Sequence, residues 1–354
     1  EGELLDASYF DGTHSQVNVI RWIAMFAVEQ NVDTVLAPSH FLADKHFADW
    51  MSVDMRSCTL LRQELDREGG GHIAIDYPVI HSHTAINQLE FRNVLVERVV
   101  DLPVDNIWVR ASGLGTEPKP QSTKQFLTSL YDLQRFDKPI VMDYADGLMA
   151  HSLLAFGGVS GIAQGIGERG QFDAGTWHNL PKERDPEKPF GRTTYIPIPG
   201  LGRRLSTKEL RLLASAKGGR KHLGCQDACC QHGVKDMLAD SRQHAAYQTI
   251  APVRSLADIP DQNRETYFLD KPLLDAERLA RNIKDLNPSQ ADAKEMNVDL
   301  DSLKRRMTEH HRKIGKFSDA LSLLHDQRGG GALRAKTCRY RTESAGNAHL
   351  GKGK

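Results

Sequence analysis

Three of the chain's five cysteines fall within six residues, in the run Cys225-Gln226-Asp227-Ala228-Cys229-Cys230, with His232 just beyond and His244 further along. Thiolates this close repel one another when ionised and oxidise readily unless a metal holds them, so the run predicts a soft-metal site. Zinc is the expected ion, with an iron-sulfur cluster or free buried thiols at a strand-to-helix junction as alternatives. A tetrahedral site needs four ligands. The cysteines supply three, with Gly224 and Gly233 permitting the bends that bring Cys230 in, and His232 or His244 is the candidate fourth.

Other residues could carry reactions. Asp143 and Asp146 are spaced to serve as nucleophile and general base, although Asp146-Gly147 is also an ordinary turn signal. His81-Ser82-His83 after a strand matches the way some barrel hydrolases hold a catalytic metal with two imidazoles, a third reading of the chain as a metal-dependent hydrolase. The run from Gly157 to Gly170 is rich in glycine within an apolar segment. Glycine there weakens a strand, so its accumulation suggests close approach of a flat ligand or another backbone, with Gln164 and Glu168 beside the exposed amides. Its spacing does not match a dinucleotide fingerprint.

These residues need elements to position them. Short apolar runs recur at Leu4-Leu5, Thr34 to Ala37, Ile73 to Ile75, Ile107 to Val109, Ile140 to Met142, Val159 to Ala163, Thr194 to Ile198 and, weakly, His222-Leu223. Most are about 30 to 40 residues apart, the length of a strand, a crossover helix and two loops. Helical periodicity fills the gaps at Val17 to Gln30, Gln88 to Val100, Thr123 to Arg135 and Ser206 to Ala216, the last opened by a Ser206/Glu209 capping box. Eight such units predict an α/β fold, a closed (β/α)8 TIM-like barrel, with a doubly wound open sheet as the alternative. In a barrel the chemistry sits at the carboxyl ends of the strands, which here carry Asp6, Ser39 and His40, His81 and His83, Arg110 and Ser112, Asp143 and Asp146, Gln164 and Glu168, Arg203 and Arg204, and Cys225.

Three stretches follow. Residues 1–232 read as the barrel, 233–328 as a helical C-terminal extension with Pro272 and Asn287-Pro288 as breakers, and 329–354 as a basic tail disordered on its own. The extension is a candidate surface for a protein partner. Lys and Arg total 46 and Asp and Glu 46, so the whole molecule has no bulk attraction for polyanions and any nucleic-acid binding must be local. Arg203, Arg204, Lys208, Arg211, Lys217, Arg220 and Lys221, with the tail, are the candidate patch. No apolar run approaches the roughly 18 residues needed to span a bilayer, and no basic segment followed by an apolar one opens the chain. With an odd, clustered set of cysteines in place of a disulfide framework, a cytoplasmic protein is expected, without membrane partners.

A glycine-rich strand ending in Gly167-Glu168, followed by a tight cysteine cluster and a downstream histidine, resembles the tRNA-guanine transglycosylase superfamily, whose members exchange guanine for a deazaguanine in RNA or DNA. The resemblance spans roughly residues 100 to 250. It implies base contacts from Gly165, Gly167 and Glu168, and zinc held by Cys225, Cys229, Cys230 and His244. The chain departs from that pattern in its Cys-x-x-x-Cys-Cys spacing, in having only Ser112-Gly113 where the family has Ser-Gly-Gly-Phe-Gln, and in lacking a carboxylate in Ile196 to Arg204, where the family's nucleophile belongs. The expectation is a zinc-containing barrel transferase acting on a nucleobase or nucleic acid. Asp143 or Asp146 would be its nucleophile or base, Gln164 and Glu168 would orient the ring, and Arg110 or Arg203 would meet phosphate. The alternative is a non-catalytic, zinc-stabilised barrel that binds nucleic acid or protein within a larger assembly.

Overall fold

The computed structural model describes residues 14–42, 47–115, 117–163, 172–175, 193–329 and 335–341. The fold is α/β. Its centre is a parallel sheet of five strands, β1 (Thr34–Leu36), β2 (Ala74–Ser82), β3 (Asn106–Ser112), β4 (Ile140–Asp143) and β5 (Gly161–Ala163), in sequential spatial order. The sheet curls as half of a barrel and is not a complete TIM barrel among the described residues. Helices Phe47–Arg67, Leu89–Val99, Pro120–Leu133 and Gly147–Ala155 fill the crossovers, as sequential parallel pairing requires.

Five of the expected strands thus pair as predicted, and the last two do not complete a barrel. Tyr195–Ile198 (β6) does form a strand, but it folds back in antiparallel register on Arg203–Ser206 (β7) instead of joining the parallel sheet. Four residues separate the two strands, too few for a crossover. Gly202, at φ 65°, closes the turn against helix Gly147–Ala155: a Cβ there would lie 2.6 Å from Leu148 Cγ. His222-Leu223 belongs to the short helix Gly219–Leu223, because a single apolar residue between Lys221 and Gly224 has no strand periodicity to impose. The expected first strand at Leu4-Leu5 lies outside the described residues.

Side-chain alternation divides the sheet into two different surfaces. Ile75, Tyr77 and Val79 of β2, Ile107, Val109 and Ala111 of β3, and Ile140 and Met142 of β4 enter one core with the helices. The other set, Asp76, Asn106, Trp108, Arg110 and Asp143, is largely polar. Its only buried apolar cluster among the described residues is Ile80 with Phe172 and Ala174, flanked by Phe41 and Tyr144. Asp76 compensates its burial by accepting from Asn106 Nδ2 and Trp108 Nε1, each at 2.6 Å.

The helical extension is packed onto this body. Helix Leu300–Gln327 buries Leu300, Leu303, Met307, His310, Ile314, Phe317, Leu321 and Leu324 at alternating three- and four-residue steps, and it meets helices Pro120–Leu133 and Leu274–Lys284. The core is continuous from Ile20 to Leu324. Pro272 does not end a helix. It sits in a five-residue π turn, Leu269–Leu273, that absorbs its missing N–H and lets Asp261–Phe268 run into Leu274–Lys284. Of the tail, residues 335–341 run across the amino ends of β3 and β4. Arg339 exchanges two hydrogen bonds with Asn106 and Arg341 pairs with Asp105 at 2.9 Å.

Two outcomes follow from this packing. Leu130→Ala, at a fully buried position, should cost about 2–5 kcal/mol in urea unfolding, while Leu323→Ala, half exposed on the long helix, should cost under about 0.5 kcal/mol. Burial lowers His81 and His310 from the ordinary 6.5 to about 4. The unfolded chain therefore takes up protons that the folded chain refuses, and stability is lost as pH falls from 6.5 towards 4. The slope is at most about 1.4 kcal/mol per pH unit for each histidine. Urea midpoints across that window should show the loss, and His310→Leu should remove one histidine's share of the slope.

Candidate metal centre and the polar edge of the sheet

The cysteine run forms a loop between helices Gly219–Leu223 and Val234–Ala239. It does not directly follow a strand. Gly233, at φ 59°, closes the loop by approaching Gly224; a Cβ on Gly233 would meet Gly224 Cα at 3.5 Å. This closure turns the thiols inward. Cys225 Sγ lies 3.7 Å from Cys229 Sγ, and Cys229 Sγ lies 3.7 Å from Cys230 Sγ. His244, on helix Ser241–Ala257, brings Nδ1 to 3.4 Å from Cys230 Sγ and 3.7 Å from Cys229 Sγ. All four ligand atoms lie within 4.8 Å of one another. A tetrahedron with metal–sulfur bonds of about 2.3 Å and a metal–nitrogen bond of about 2.0 Å has edges of roughly 3.8 Å and 3.5 Å. The donor set and its spacing therefore suit a metal ion, and they fit zinc.

The surroundings prepare the ligands. His244 Nε2 lies 2.8 Å from the carbonyl oxygen of Pro197, an acceptor only, so Nε2 carries the proton and Nδ1 is left to ligate. Burial holds this imidazole below its ordinary pKa, keeping it neutral as a ligand must be. Asp227 N, at 3.4 Å, and Gln248 Nε2, at 3.5 Å, donate to Cys225 Sγ, and Gln248 also donates to Asp227 Oδ2 at 2.6 Å. Burial pushes the Cys225 thiol up and the Cys230 thiol up to about 11, so a metal entering the cluster displaces protons. His232 is exposed and pairs with Asp236, leaving His244 as the fourth ligand.

The carboxyl edge of the sheet carries the remaining candidates, but not as one cluster. Arg110 and Asp143 are register partners on β3 and β4, joined by Arg110 Nε at 2.8 Å and Nη2 at 2.6 Å to one carboxylate oxygen. The same guanidinium lies 5.0 Å from the Tyr144 ring centroid and 5.6 Å from that of Phe172. Asp146 faces a different partner. Its Oδ1 caps helix Gly147–Ala155 through Gly147 N, and its Oδ2 accepts from Arg204 at 2.6 Å and 3.1 Å. Arg203 pairs with Glu117 at 3.1 Å. Gln164, Gly165, Gly167 and Glu168 lie outside the described residues.

His81 and His83 do not converge on a metal. The His81 ring is wedged edge-on against Phe41 and Phe91 and accepts from Ser82 N, while His83 Nδ1 meets the carbonyl of Ser112 at 3.2 Å. Adjacent alternate residues share one face only while the strand continues, and β2 ends at Ser82, so His83 turns away on the next helix. Among the described residues the Cys225, Cys229, Cys230 and His244 group alone has metal-ligand spacing, and neither His81 nor His83 belongs to such a group.

One polar constellation escaped sequence reasoning. His40 Nδ1 lies 2.6 Å from the buried Asp54 carboxylate, which also accepts from Tyr77 OH at 3.1 Å, and the His40 ring stacks on Trp50 at 4.4 Å. Burial raises the Asp54 carboxyl while His40 opposes the rise. The available signal was an aspartate within the apolar stripe Met51, Cys58, Leu61 and Leu65 of helix Phe47–Arg67. Of the basic patch, Lys208, Arg211, Lys217, Arg220 and Lys221 are exposed, whereas Arg203 and Arg204 are engaged in ion pairs. No described helix is long and apolar enough to cross a membrane.

Compared with protein-family profiles, curated proteins and solved structures, the chain finds no match.

Zinc titration against a competing chelator should show one tight site in the full chain, with affinity falling as pH falls because each ligand thiol must lose its proton. His244→Ala should abolish stoichiometric binding. Gln248→Ala, which touches only a sulfur and its neighbour Asp227, should weaken binding about 10- to 100-fold.

Proposed function

We propose that the chain is a zinc-containing α/β enzyme built on a half-barrel sheet, acting in the cytoplasm on a nucleobase or nucleic acid by transglycosylase-like base exchange. The observation that carries this reading is Arg110 and Asp143 in register at the carboxyl edge of a parallel sheet, beside Tyr144 and Phe172. Open α/β sheets bind ligands at that edge. A planar base is suited to aromatic and guanidinium faces, which stack on it, and to a carboxylate that accepts its ring N–H. The resemblance of the cysteine and histidine set and the glycine strand to transglycosylases supports the same substrate class.

In this reading zinc on Cys225, Cys229, Cys230 and His244 is structural, since four protein ligands leave no open position. Asp143 or Asp146 attacks the sugar's anomeric carbon, the bond to the departing base breaks, and the incoming base displaces the carboxylate in turn. Arg110 holds the Asp143 carboxylate in place and supplies positive charge against phosphate, a role Arg203 shares. Gln164, Gly165, Gly167 and Glu168 are proposed to frame the base.

A second reading, a non-catalytic nucleic-acid or protein-binding subunit, is favoured by one observation. Lys208, Arg211, Lys217, Arg220 and Lys221 make no ion pair with a described residue and lead into the metal loop. In that case the helical extension carries the protein partner and the basic stretch the polyanion.

Exchange of labelled guanine into tRNA and into duplex DNA by the zinc-loaded chain tests the first reading. Asp143→Asn or Asp146→Asn should lower the rate about 10²- to 10⁴-fold, with folding followed in parallel because Asp143→Asn also leaves Arg110 undercompensated. No exchange by the wild-type chain, with salt-sensitive binding lost on replacing the five exposed basic residues, would select the second.

A further inference from the structure

Behind the sheet edge lies a cavity of about 250 Å³ that neither the metal centre nor the Arg110–Asp143 pair uses. It opens between helix Gly147–Ala155, the β6–β7 hairpin and helix Ser241–Ala257, and Leu148, Pro197, Ile198, Pro252 and Pro272 form its apolar walls. Polar groups also line it, and most are already satisfied. Asp146 is taken by Gly147 N and Arg204, Arg203 by Glu117, and Gln248 by Asp227. His151 is the exception. Its ring lines the cavity and makes no hydrogen bond with any described residue. The ring is only partly buried and its nitrogens are not sealed from solvent, so a ligand edge matching both nitrogens would replace water there.

We propose that this cleft is a binding site for a small, uncharged aromatic heterocycle or cyclic amide that presents a donor–acceptor edge to His151. The ligand class follows from the lining. Both arginines, Asp146 and Asp275 are already in ion pairs, Asp275 with Arg278 at 3.5 Å, so a net charge on the ligand would find no free counter-charge, whereas the five apolar walls favour a flat hydrophobic body. Burial lowers His151 to about 4 despite the neighbouring Asp146, so at neutral pH the imidazole offers one donor and one acceptor. The site shares walls with the metal centre. Pro197 accepts from His244, and Gln248 reaches Cys225, so a filled cleft braces two groups that orient the metal ligands. This inference is independent of base exchange at the sheet edge.

The test is calorimetric titration of the zinc-loaded full chain at neutral pH with benzimidazole, which carries the donor–acceptor edge, and with indene, its hydrocarbon counterpart. Saturable benzimidazole binding, at least about fivefold tighter than indene, is expected. His151→Leu should reduce benzimidazole to the indene level while leaving the melting temperature and zinc content unchanged. In the wild-type chain, the His151 ring resonances should shift on addition of benzimidazole, a readout that needs no variant. Absence of saturable benzimidazole binding, an equal response to indene, or a preference that survives His151→Leu would each overturn the proposal.

Discussion

One imidazole ties together the two halves of the molecule that matter for function. His244 faces three thiols with Nδ1 and the carbonyl of Pro197 with Nε2. Pro197 stands opposite Arg204 in the β6–β7 register, and Arg204 holds Asp146 at the end of β4's loop. A metal on the cluster therefore does more than close a loop of cysteines. It would fix helix Ser241–Ala257 against the hairpin through His244, while the Arg204–Asp146 pair holds the hairpin to the loop after β4. Without the ion, protonated thiols in contact offer little cohesion, and His244 keeps the Pro197 carbonyl on Nε2 with only weak thiol contacts on Nδ1.

The sheet imposes the second constraint. The central strands give one face to the helices, and the buried polar residues on the other face have named partners. Asp76 has Asn106 and Trp108, and Asp143 has Arg110 and the Tyr144 amide. Such pairs add little net stability, because desolvation offsets most of the attraction. They do define geometry: Arg110 holds one oxygen of Asp143 and the Tyr144 amide the other, while the guanidinium lies near the Tyr144 and Phe172 rings. Placing charged groups on this face is consistent with a surface kept for a ligand rather than for core.

Much of this was legible in the sequence where the determinants are local. Apolar runs marked five parallel strands, the Ser206/Glu209 pair forms a capping box, and the thiols of Cys225, Cys229 and Cys230 come together as their spacing suggested. The failures have physical causes. Arg203-Arg204-Leu205-Ser206 has too little apolar alternation to read as a strand, and its pairing comes from the turn at residues 199–202. His222-Leu223 took its conformation from the flanking glycines. The partners of Asp143 and Asp146 were hidden because both bonds are long-range: nothing local distinguishes a carboxylate awaiting a substrate from one already bound by Arg110 or Arg204. His40 and Asp54 meet across the β1–helix connection for the same reason.

The claim on which the rest turns is that Cys225, Cys229, Cys230 and His244 hold one metal ion. X-ray absorption at the zinc edge of the purified, zinc-loaded chain measures that directly. Three sulfurs at about 2.3 Å and one nitrogen at about 2.0 Å are predicted. A shell of oxygen and nitrogen alone, or one with fewer than three sulfurs, would contradict it.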